Sequence, residues 1–433
     1  MLTSKQERAD CVDVVVVGLG YIGLPTAAVL ATNGLTVIGV DTNPDTVNAI
    51  NKGLVPFVEP DLGIHVAGAV SQSRLSASIK TPKARAYIVA VPTPFLADKS
   101  ADLSFIESAA RGIAPQLEGG ELIILESTSP PGTTRRLGEI FLELRPDLSL
   151  DSDAGLPVIH LAHCPERVLP GRIMIEIVTN DRVIGGLTEE ASEAARDLYL
   201  TFCQGSIHVT DAKTAEMSKL VENAYRDVNI AFANELSVIS ENLSIDVWEL
   251  IRLANHHPRV NILKPGPGVG GHCIAVDPWF IVAADPMHST LIRTAREVND
   301  GKPAHVVKKI IEQINGIDTP TVACLGLAFK ANIDDVRESP AMEIVQLLSA
   351  AAPHARLRVA TPLRNGRTLP PEVSGLPNVE WSETQDAVDS ADVVALLVDH
   401  DRFREIPVAS LTGKGIVDTR GFWGKTALAE AGH

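Results

Sequence analysis

One cysteine of the 433-residue sequence lies in a glycine-rich stretch, GPGVGGHCIAVDPWF at residues 266–280, just ahead of an aspartate and a proline. A thiolate attacks a carbonyl carbon only if the carbonyl can come close, and Gly270 and Gly271 carry no side chain that would block this approach. We therefore predict that Cys273 is a nucleophile. The alternative is that Cys273, like most lone cysteines, is a small buried apolar residue.

Residues 12–23 (VDVVVVGLGYIG) combine an apolar run with the pattern GxGxxG, formed by Gly18, Gly20 and Gly23. Such glycines allow a tight turn and let a pyrophosphate approach the backbone at the start of a helix, here predicted over residues 24–31. A second strand, predicted over 36–40, leads to Asp41. A carboxylate there accepts hydrogen bonds from ribose hydroxyls and repels a 2′-phosphate, so the pattern predicts NAD as cofactor. A purely structural glycine turn is the alternative.

Two further apolar runs, residues 86–91 and 122–125, each lead into a loop rich in hydroxyl groups and prolines. These loops are PTP at 92–94 and ESTSPPGTT at 126–134. Because ligands of α/β sheets bind at the carboxyl ends of the strands, the two loops together predict a cofactor pocket. Each loop taken alone is also compatible with simple turn chemistry.

A third apolar stretch, residues 158–162, leads to His163-Cys164-Pro165-Glu166-Arg167. Glu166 could act as a general base and Arg167 as an anion clamp. Alternatively, the two side chains form a surface ion pair of little energetic value. Adjacent His163 and Cys164 cannot easily face one metal, so no metal site is predicted here.

Residues 212–243 contain neither proline nor glycine and are predicted to form one long helix. Lys219, Asn223 and Arg226 follow one stripe of this helix at i, i+4 and i+7. If the helix is partly buried between two α/β halves, a cationic stripe indicates an anionic ligand, whereas solvent exposure is the alternative. The apolar face is predicted to comprise Leu220, Ala224, Val228, Ala231 and Phe232. A further helix over 248–254 is predicted to end in a binding loop, NHHPR at 255–259.

The last third of the chain has the pattern of a second nucleotide-binding unit without the full glycine fingerprint. Strands are predicted over 321–325, 357–360, 393–398 and 416–418, with Lys330 and Arg337 as cationic candidates or as ordinary surface charges. The predicted fold class is therefore α/β, with two Rossmann-like doubly wound parallel-sheet domains joined by a long central helix and a small helical region. The predicted boundaries are 1–211 for the NAD-binding domain, 212–315 for the central region and 316–433 for the C-terminal domain.

Composition narrows the possible functions. A formal net charge of −16 argues against a nucleic-acid partner. Five widely spaced cysteines without a CxxC pair indicate reduced thiols in a cytoplasmic protein and no metal centre. The polar start, MLTSKQERADC, predicts no secretory signal. The apolar residues 12–31 are interrupted by Asp13 and glycines, so no membrane partner is expected.

Eight motifs in order resemble those of the nucleotide-sugar 6-dehydrogenases, the UDP-glucose/GDP-mannose dehydrogenase family. They are GLGYIGLP, VPTP, ESTSPPGTT, CPERVLPG, KLVENAYRDVNIAFANEL, HPRVNI, GVGGHCIAVDP and FKANIDDVRESPA. CPERVLPG and GHCIAVDPWF are most similar to the branch that oxidises UDP-N-acetyl-D-mannosamine for bacterial surface polysaccharides. UDP-glucose enzymes tend to carry NPEF at the first motif and a lysine before the aspartate of the second, where this chain has Arg167 and Val276.

The resemblance implies a four-electron oxidation at C6 of a UDP-sugar, in which Cys273 forms a thiohemiacetal and then a thioester. Lys219 and Asn223 would stabilise the developing oxyanion, and Asp277 would position water or act as a base. Glu166 would activate water for hydrolysis, and Thr128 would contact the cofactor or the catalytic water.

The resemblance also implies which residues bind the two ligands. NAD would be held by Gly18, Gly20, Tyr21, Ile22, Gly23, Asp41, Thr93, Thr128 and Arg337. The UDP-sugar would be held by Arg167, Val168, Lys219, Asn223, Arg226, His257, Arg259, Gly270 and Lys330. In relatives the arginine that matches Arg259 can reach in from a neighbouring subunit, which implies a homodimer or a higher homo-oligomer.

Two other function classes remain open at this level. A two-electron dehydrogenase of the β-hydroxyacid type also combines a Rossmann domain with a helix that carries lysine and asparagine, but it needs no cysteine. A nucleotide-sugar-binding regulator would have kept the fold without the chemistry.

Overall fold

The computed structural model describes residues 12–169, 171–271, 273–362 and 368–424. The chain divides into two compact units, Met1–Glu222 and Asn223–His433. The division falls within a 31-residue helix, Ala212–Asn242, which confirms the long helix predicted over residues 212–243.

The first unit is built on a sheet whose two faces are both buried. In the first strand Val14 and Val16 belong to the core on one face, and Val15 and Val17 belong to the core on the other. A strand covered on both sides reads as a continuous apolar run, which explains the VVVV of this segment. Within the described residues the strands of this sheet are β1 (Val12–Val17), β2 (Val37–Val40), β3 (Leu75–Ser78), β4 (Ala84–Val89), β5 (Leu122–Leu125), β6 (His160–His163), β7 (Arg182–Gly186) and β8 (Ile207–Asp211).

The strand order is β3-β2-β1-β4-β5-β6-β7-β8. The chain order reverses between β1 and β4, so the crevice beyond their carboxyl ends is the expected ligand site. The strands pair in parallel except β6 and β7, where Ala162 lies opposite Gly186 in an antiparallel pair. The predicted doubly wound parallel sheet is confirmed, and the β6–β7 pair is an antiparallel addition within it.

Helices cover both faces of this sheet. Leu24, Leu62, Ile177 and Tyr199 pack on one face, and residues such as Phe141 pack on the other. The helices of the first unit are α1 (Gly23–Thr32), α2 (Pro44–Asn51), α3 (Leu62–Ser71), α4 (Ser104–Ile113), α5 (Thr133–Leu144), α6 (Ile173–Thr179) and α7 (Glu189–Tyr199), and α8 (Ala212–Asn242) follows β8.

The second unit contains a smaller parallel sheet with helices on both faces, as the sequence predicted. Its order is β11-β10-β9-β12-β13, again with a reversal beside the first strand of the unit. Its strands are β9 (Thr321–Leu325), β10 (Arg356–Ala360), β11 (Val379–Trp381), β12 (Val393–Leu396) and β13 (Gly415–Asp418). Its helices after α8 are α9 (Val247–Ala254), α10 (Asp277–Ala284), α11 (Thr290–Ile314), α12 (Pro340–Ala351), α13 (Pro371–Ser374) and α14 (Thr384–Ser390).

Helix α8 has two apolar faces rather than the single one that was predicted. Leu220, Ala224 and Ala231 are buried as expected. The assignment of Phe232 to the same face is wrong, because 54% of Phe232 is exposed. It lies one heptad after the exposed Tyr225, so the large apolar residues follow a second stripe that this chain alone does not cover.

Candidate active site

The glycine loop between β1 and α1 is folded so tightly that two of its glycines have no room for a side chain. A Cβ on Gly18 would lie 2.4 Å from the carbonyl oxygen of Ala90, and a Cβ on Gly23 would lie 1.8 Å from the carbonyl oxygen of Gly18. Gly18 also has φ of +95°, which other residues rarely adopt. A Cβ on Gly20 would meet no atom within 4 Å. The loop therefore leaves open space for a ligand phosphate beside the start of α1.

Asp41, at the end of β2, is held next to this loop. Its Oδ2 accepts from the backbone N–H of Leu19 at 3.0 Å, and its Oδ1 accepts from the N–H of Asn43 at 2.8 Å. Tyr21 stacks on Phe57 at 4.3 Å between ring centroids and stays 45% exposed, while Ile22 is half-buried. A phosphate cradle followed by a carboxylate with free accepting capacity suits a dinucleotide with unmodified ribose hydroxyls.

The two hydroxyl-rich loops predicted from the sequence meet at the same edge of the sheet. Thr93 Oγ1 donates to the backbone oxygen of Thr128 at 2.5 Å, and Ser127 Oγ donates to the backbone oxygen of Val91 at 2.7 Å. β4 lies next to β1 in the sheet, so the loop after β4 neighbours the glycine loop. The structure thus brings Thr93 and Thr128 together beside the dinucleotide crevice.

Glu166 is buried and paired with an arginine that the sequence analysis did not single out. Arg182 Nη2 donates to Glu166 Oε2 at 2.9 Å, and the side chains are 4% and 6% exposed. The backbone N–H of Arg167 donates to Glu166 Oε1 at 2.7 Å. The alternative of a surface Glu166–Arg167 ion pair is therefore wrong. Arg167 instead pairs with Glu222 at 2.6 Å, and Val168 is half-buried against the core.

A second buried carboxylate, Glu126, lies in the same cluster at the end of β5. It accepts from Thr26 Oγ1 at 3.1 Å and from the Tyr199 hydroxyl at 3.0 Å. Burial, together with the nearby Glu166 carboxylate, raises the pKa of the Glu126 carboxyl to about 7 against the opposing effect of Arg182. Thr26 belongs to α1, so Glu126 links the dinucleotide helix to the loop that carries Thr128. In the sequence, this cluster is indicated only by a charged residue next to an apolar run, namely Glu126 after LIIL and Arg182 before VIGG.

In the second unit the cysteine loop runs directly into α10. The backbone oxygen of Cys273 accepts from the N–H groups of Val276 at 3.0 Å and Asp277 at 2.8 Å. Cys273 is exposed, so the alternative of a buried apolar cysteine is wrong. The thiol precedes the N-terminal turn of a helix, the end at which negative charge is stabilised.

Two predicted catalytic residues are in direct contact. Asn223 Nδ2 donates to Asp277 Oδ2 at 2.6 Å, and both residues are buried. Lys219 lies one turn before Asn223 on α8 and is half-buried. The first residue of α10 is therefore tied to α8, which fixes the orientation of the carboxylate that follows the nucleophile.

The start of the cysteine loop is anchored by a buried polar network between α8 and α11. Gly266 N–H donates to Asn234 Oδ1 at 2.8 Å, and Asn234 Nδ2 donates to Asn299 Oδ1 at 2.8 Å. Asn299 Nδ2 and Arg296 Nη1 donate to Asp227 Oδ1 at 2.8 and 2.6 Å. Asp227 and Asn234 lie seven residues apart on α8, a polar repeat on an apolar face that could have revealed this network.

The glycines before Cys273 serve packing, which corrects the reason given for them from the sequence. A Cβ on Gly270 would lie 2.2 Å from the carbonyl oxygen of Glu338 and 2.8 Å from Pro340 Cδ. Gly271 has φ of +87°, and its Cβ would lie 3.0 Å from the Phe329 ring. The loop thus lies directly on the segment between β9 and α12, and side chains at these positions would displace it.

The remaining predicted binding residues are exposed in the second unit. Arg337 pairs with Asp335 through Nη2 and Oδ2 at 2.6 Å. His257 Nδ1 accepts from the backbone N–H of Arg259 at 3.3 Å. Five predicted binding residues of the second unit are exposed: Arg226, His257, Arg259, Lys330 and Arg337. For Arg226, full exposure corrects the expectation of a buried cationic stripe.

The described residues contain no group of three or more His, Cys, Asp or Glu side chains that could hold a metal ion. Among the helices of the described ranges, none is long and apolar enough to cross a membrane. Among the described residues, Cys164, Cys203, Cys273 and Cys324 form no disulfide bond, and Cys11 lies outside the described residues.

Models of one protein family match three successive parts of the chain. The NAD binding domain of the UDP-glucose/GDP-mannose dehydrogenase family matches residues 12–203, its central domain matches 213–301, and its UDP binding domain matches 323–425. The chain belongs to this family. Like its homologues in the family, it is an oxidoreductase of nucleotide sugars with NAD as cofactor, and the glycine loop with Asp41 fits that cofactor.

Members of the family resemble the chain over nearly its whole length. The NDP-N-acetyl-D-galactosaminuronic acid dehydrogenase of Ralstonia nicotianae is 54% identical over 415 residues, which cover 96% of this chain and 97% of the relative. The UDP-N-acetyl-D-mannosamine dehydrogenase of Escherichia coli is 51% identical over 417 residues, covering 94% and 98%. The structure of the UDP-N-acetyl-mannosamine dehydrogenase Cap5O from Staphylococcus aureus matches with a TM-score of 0.80 and 42% identity, covering 95% of each chain.

Glu126→Gln tests the buried carboxyl. The folded state binds the Glu126 proton with a pKa of about 7, above the ordinary glutamate value of 4.5, so this contribution to stability is complete below pH 4.5 and is lost as pH rises through 7. Glutamine retains the shape and cannot ionise. We expect the stability of the wild type to fall relative to Glu126→Gln between pH 5 and 8, measured as urea midpoints by far-UV circular dichroism. The exposed Glu189→Gln serves as control, and parallel curves for wild type and Glu126→Gln would contradict the expectation.

Gly270→Ala tests the seat of the cysteine loop. Because the added methyl group would overlap the Glu338 carbonyl, we expect a loss of about 1–3 kcal/mol in unfolding free energy and a changed rate of Cys273 labelling by a thiol reagent. Gly301→Ala is the matched control, since its methyl group would meet no atom within 4 Å on helix α11 and alanine favours helix by about 0.5–1 kcal/mol. Equal stability and labelling for the two variants would show that the contact with Glu338 is unimportant.

Proposed function

We propose that the protein oxidises C6 of UDP-N-acetyl-D-mannosamine in two steps to UDP-N-acetyl-D-mannosaminuronate, a precursor of bacterial surface polysaccharide. The observation that carries the proposal is the exposed Cys273 in a loop held at the start of α10, with Asp277 tied to Asn223. Family membership and 51% identity to the Escherichia coli UDP-N-acetyl-D-mannosamine dehydrogenase support the substrate class.

The proposed reaction removes four electrons from C6 of the sugar, in two oxidations of two electrons each. A base takes the C6 hydroxyl proton while C6 loses a hydride, which leaves an aldehyde. The Cys273 thiolate adds to the aldehyde carbon to form a thiohemiacetal, and loss of a second hydride leaves a thioester. Water cleaves the carbon–sulfur bond and releases the carboxylate and the thiol. NAD, when bound, supplies the hydride acceptor for each oxidation, so two are consumed per sugar.

Lys219, Asn223 and Asp277 would act around the reacting carbon. The Lys219 ammonium would stabilise the alkoxide and the later oxyanion, with the Asn223 amide as a second donor. The Asn223–Asp277 hydrogen bond holds the Asp277 carboxylate at the start of α10, where it would orient water or accept a proton. Their positions on α8 and at the start of α10 support this division of roles.

Glu166 would activate the water that cleaves the thioester, and Thr128 would contact the cofactor or that water. The ion pair with Arg182 and the N–H of Arg167 use two of the accepting sites of Glu166. A carboxylate has about four such sites, so capacity for water remains. Arg182 is thus a positioning residue for a carboxylate that would otherwise be buried without a counter-charge.

The binding residues inferred from the sequence complete the proposal. Gly18, Gly20, Tyr21, Ile22, Gly23, Asp41, Thr93, Thr128 and Arg337 would bind NAD. Arg167, Val168, Lys219, Asn223, Arg226, His257, Arg259, Gly270 and Lys330 would bind the UDP-sugar. We also propose the division into 1–211, 212–315 and 316–433, which is supported by the start of α8 at Ala212 and by the end of α11 at Ile314. Reduced thiols in an enzyme of this chemistry favour the cytoplasm.

A second candidate substrate has the galacto configuration. It is favoured by the 54% identity to the Ralstonia nicotianae NDP-N-acetyl-D-galactosaminuronic acid dehydrogenase, a substrate class absent from the expectations drawn from sequence. Both candidates carry an N-acetyl group and use the same chemistry at C6, so they differ only in how the pocket receives the sugar ring.

The experiment that tests the proposal counts NADH formed per sugar consumed. The purified protein is incubated with NAD and, separately, with UDP-N-acetylmannosamine, UDP-N-acetylgalactosamine, UDP-N-acetylglucosamine and UDP-glucose. We expect two NADH per sugar and the highest kcat/KM with the mannosamine substrate. One NADH per sugar would assign two-electron chemistry, and preference for another sugar would keep the mechanism and change the substrate.

Cys273→Ser tests the covalent step. Serine cannot form the thioester, so we expect acid formation to fall by more than about 1000-fold. The control is Cys203→Ser, since Cys203 is a buried thiol that donates to the backbone oxygens of Asn180 and Gly205. Acid formation by Cys273→Ser at the wild-type rate would remove the nucleophile from the mechanism.

We propose that the enzyme is at least a homodimer that pairs through the exposed apolar stripe of α8. Tyr225, Phe232 and Ile239 on α8 are 71%, 54% and 44% exposed, and Leu243, directly after the helix, is 63% exposed. The stripe is long enough to contribute to an interface of standard size, and pairing would bring exposed residues such as Arg259 within reach of a second copy.

Phe232→Glu tests this pairing. A charge in the centre of the stripe should shift the protein from dimer to monomer in size-exclusion chromatography with light scattering. Ile64→Glu is the matched control, because Ile64 is 77% exposed and belongs to α3, not to the stripe. A wild-type monomer, or a dimer unaffected by Phe232→Glu, would contradict the pairing.

A further inference from the structure

A cavity of about 330 Å³ lies in the second unit, outside the residues assigned above. Its walls come from the last turns of α8, the start of α9, the middle of α11 and the end of β13. Pro265 and Gly266, which lead into the cysteine loop, form another part of the wall. The volume is at the lower end of the range for small-molecule sites.

The walls of this cavity contain a buried ammonium group. Lys302 is 7% exposed, and its Nζ donates to Ser237 Oγ at 2.8 Å. Of the described residues, none places a carboxylate within 4.0 Å of that Nζ. Burial, together with the neighbouring Lys309, lowers the pKa of Lys302 to about 8 against the opposing effect of Glu241. An ammonium has three donors, so the group retains capacity for an anionic acceptor.

The carboxylates that line the cavity are already engaged. Glu241 accepts from Lys309 Nζ at 2.8 Å and from His305 Nε2 at 3.0 Å. A bound anion would therefore have Lys309 and His305, which also line the cavity, near it as well as Lys302, with the single Glu241 carboxylate between those two side chains.

The other two carboxylates of the lining are bound to backbone groups. Asp246 caps α9 by accepting from the N–H of Trp248 at 3.0 Å. Asp418 accepts from the N–H groups of Arg420 at 3.0 Å and Trp423 at 3.1 Å. Glu241 thus acts on Lys302 only from beyond ion-pair distance, and Lys302 lacks a directly contacting carboxylate among the described residues of the lining.

We propose that this cavity binds the phosphate group of a small metabolite, with Lys302 as the central contact and Lys309 and His305 beside it. A buried ammonium is costly without a counter-charge, and a phosphate offers several acceptor oxygens to its unused donors. The Trp248 ring, which packs against Gly421, provides an apolar wall for the body of such a metabolite.

Isothermal titration with inorganic phosphate and with glucose 1-phosphate tests the site. We expect saturable binding to the wild type at one site that depends on Lys302, and at least tenfold weaker binding to Lys302→Met. The matched control is Lys308→Met, because Lys308 lies on α11 outside the cavity with a side chain 75% exposed, and it should bind as the wild type does. Tighter binding of the sugar phosphate would identify a metabolite, and equal binding would identify phosphate alone as the ligand.

A second measurement separates this cavity from the nucleotide-sugar site and from misfolding. A bound anion raises the pKa of Lys302, so sulfate, which does not titrate here, should cause proton uptake at pH 8, seen as buffer-dependent heat. Lys302→Met should lose this uptake while keeping the wild-type melting temperature. If Lys302→Met fails to fold, Lys309→Met replaces it, with several-fold weaker binding expected. Absence of saturable binding by the wild type, or equal binding and proton uptake by Lys302→Met, would overturn the proposal.

Discussion

The buried ion pair between Asp227 and Arg296 is the contact on which the geometry of the second unit depends. Its Nη1 and Oδ1 atoms are 2.6 Å apart, and both side chains are at most 1% exposed. Separating the two side chains would leave an uncompensated buried charge, which is energetically costly. The pair therefore fixes the position of α8 relative to α11. This arrangement places Asn234 of α8 where its Oδ1 accepts from the N–H of Gly266, at the start of the cysteine loop. The position of the cysteine loop is thus set by charges that lie outside the loop.

In the first unit, buried charged side chains hold the loops around the dinucleotide crevice. The crevice beyond β1 and β4 needs open backbone for a dinucleotide, so its loops cannot be held by large side chains. Arg182, beneath the loops, faces Glu166 and the partly neutral Glu126. Because its pKa is about 7, the Glu126 carboxyl is only partly ionised at neutral pH. It therefore adds less than a full negative charge beside the Glu166 carboxylate. The buried charges therefore hold these loops on the side that faces the protein interior, and the backbone on the crevice side stays accessible to a dinucleotide.

Local rules predicted the parts of the fold that depend on neighbouring residues. The valine run of β1, the long helix and the exposed Cys273 follow from burial on two faces, absence of breakers and a glycine loop. Partners distant in sequence could not be predicted. Glu166 meets Arg182 only because β7 pairs antiparallel with β6, and Gly270 lacks a side chain because Glu338 lies against it. Phe232 was misplaced because helical periodicity does not say how many faces are covered.

The environment of each thiol explains why one cysteine can act as a selective nucleophile. Burial raises the pKa of the Cys164 thiol to about 12, and burial alone raises the pKa of Cys324 to about 12. Both thiols therefore stay protonated at neutral pH and are closed to an aldehyde. Cys273 is exposed and lies before the N-terminal turn of α10. In the proposed mechanism, an aldehyde formed near Cys273 would meet one accessible thiol among the described cysteines, so burial of the other thiols is enough to select it.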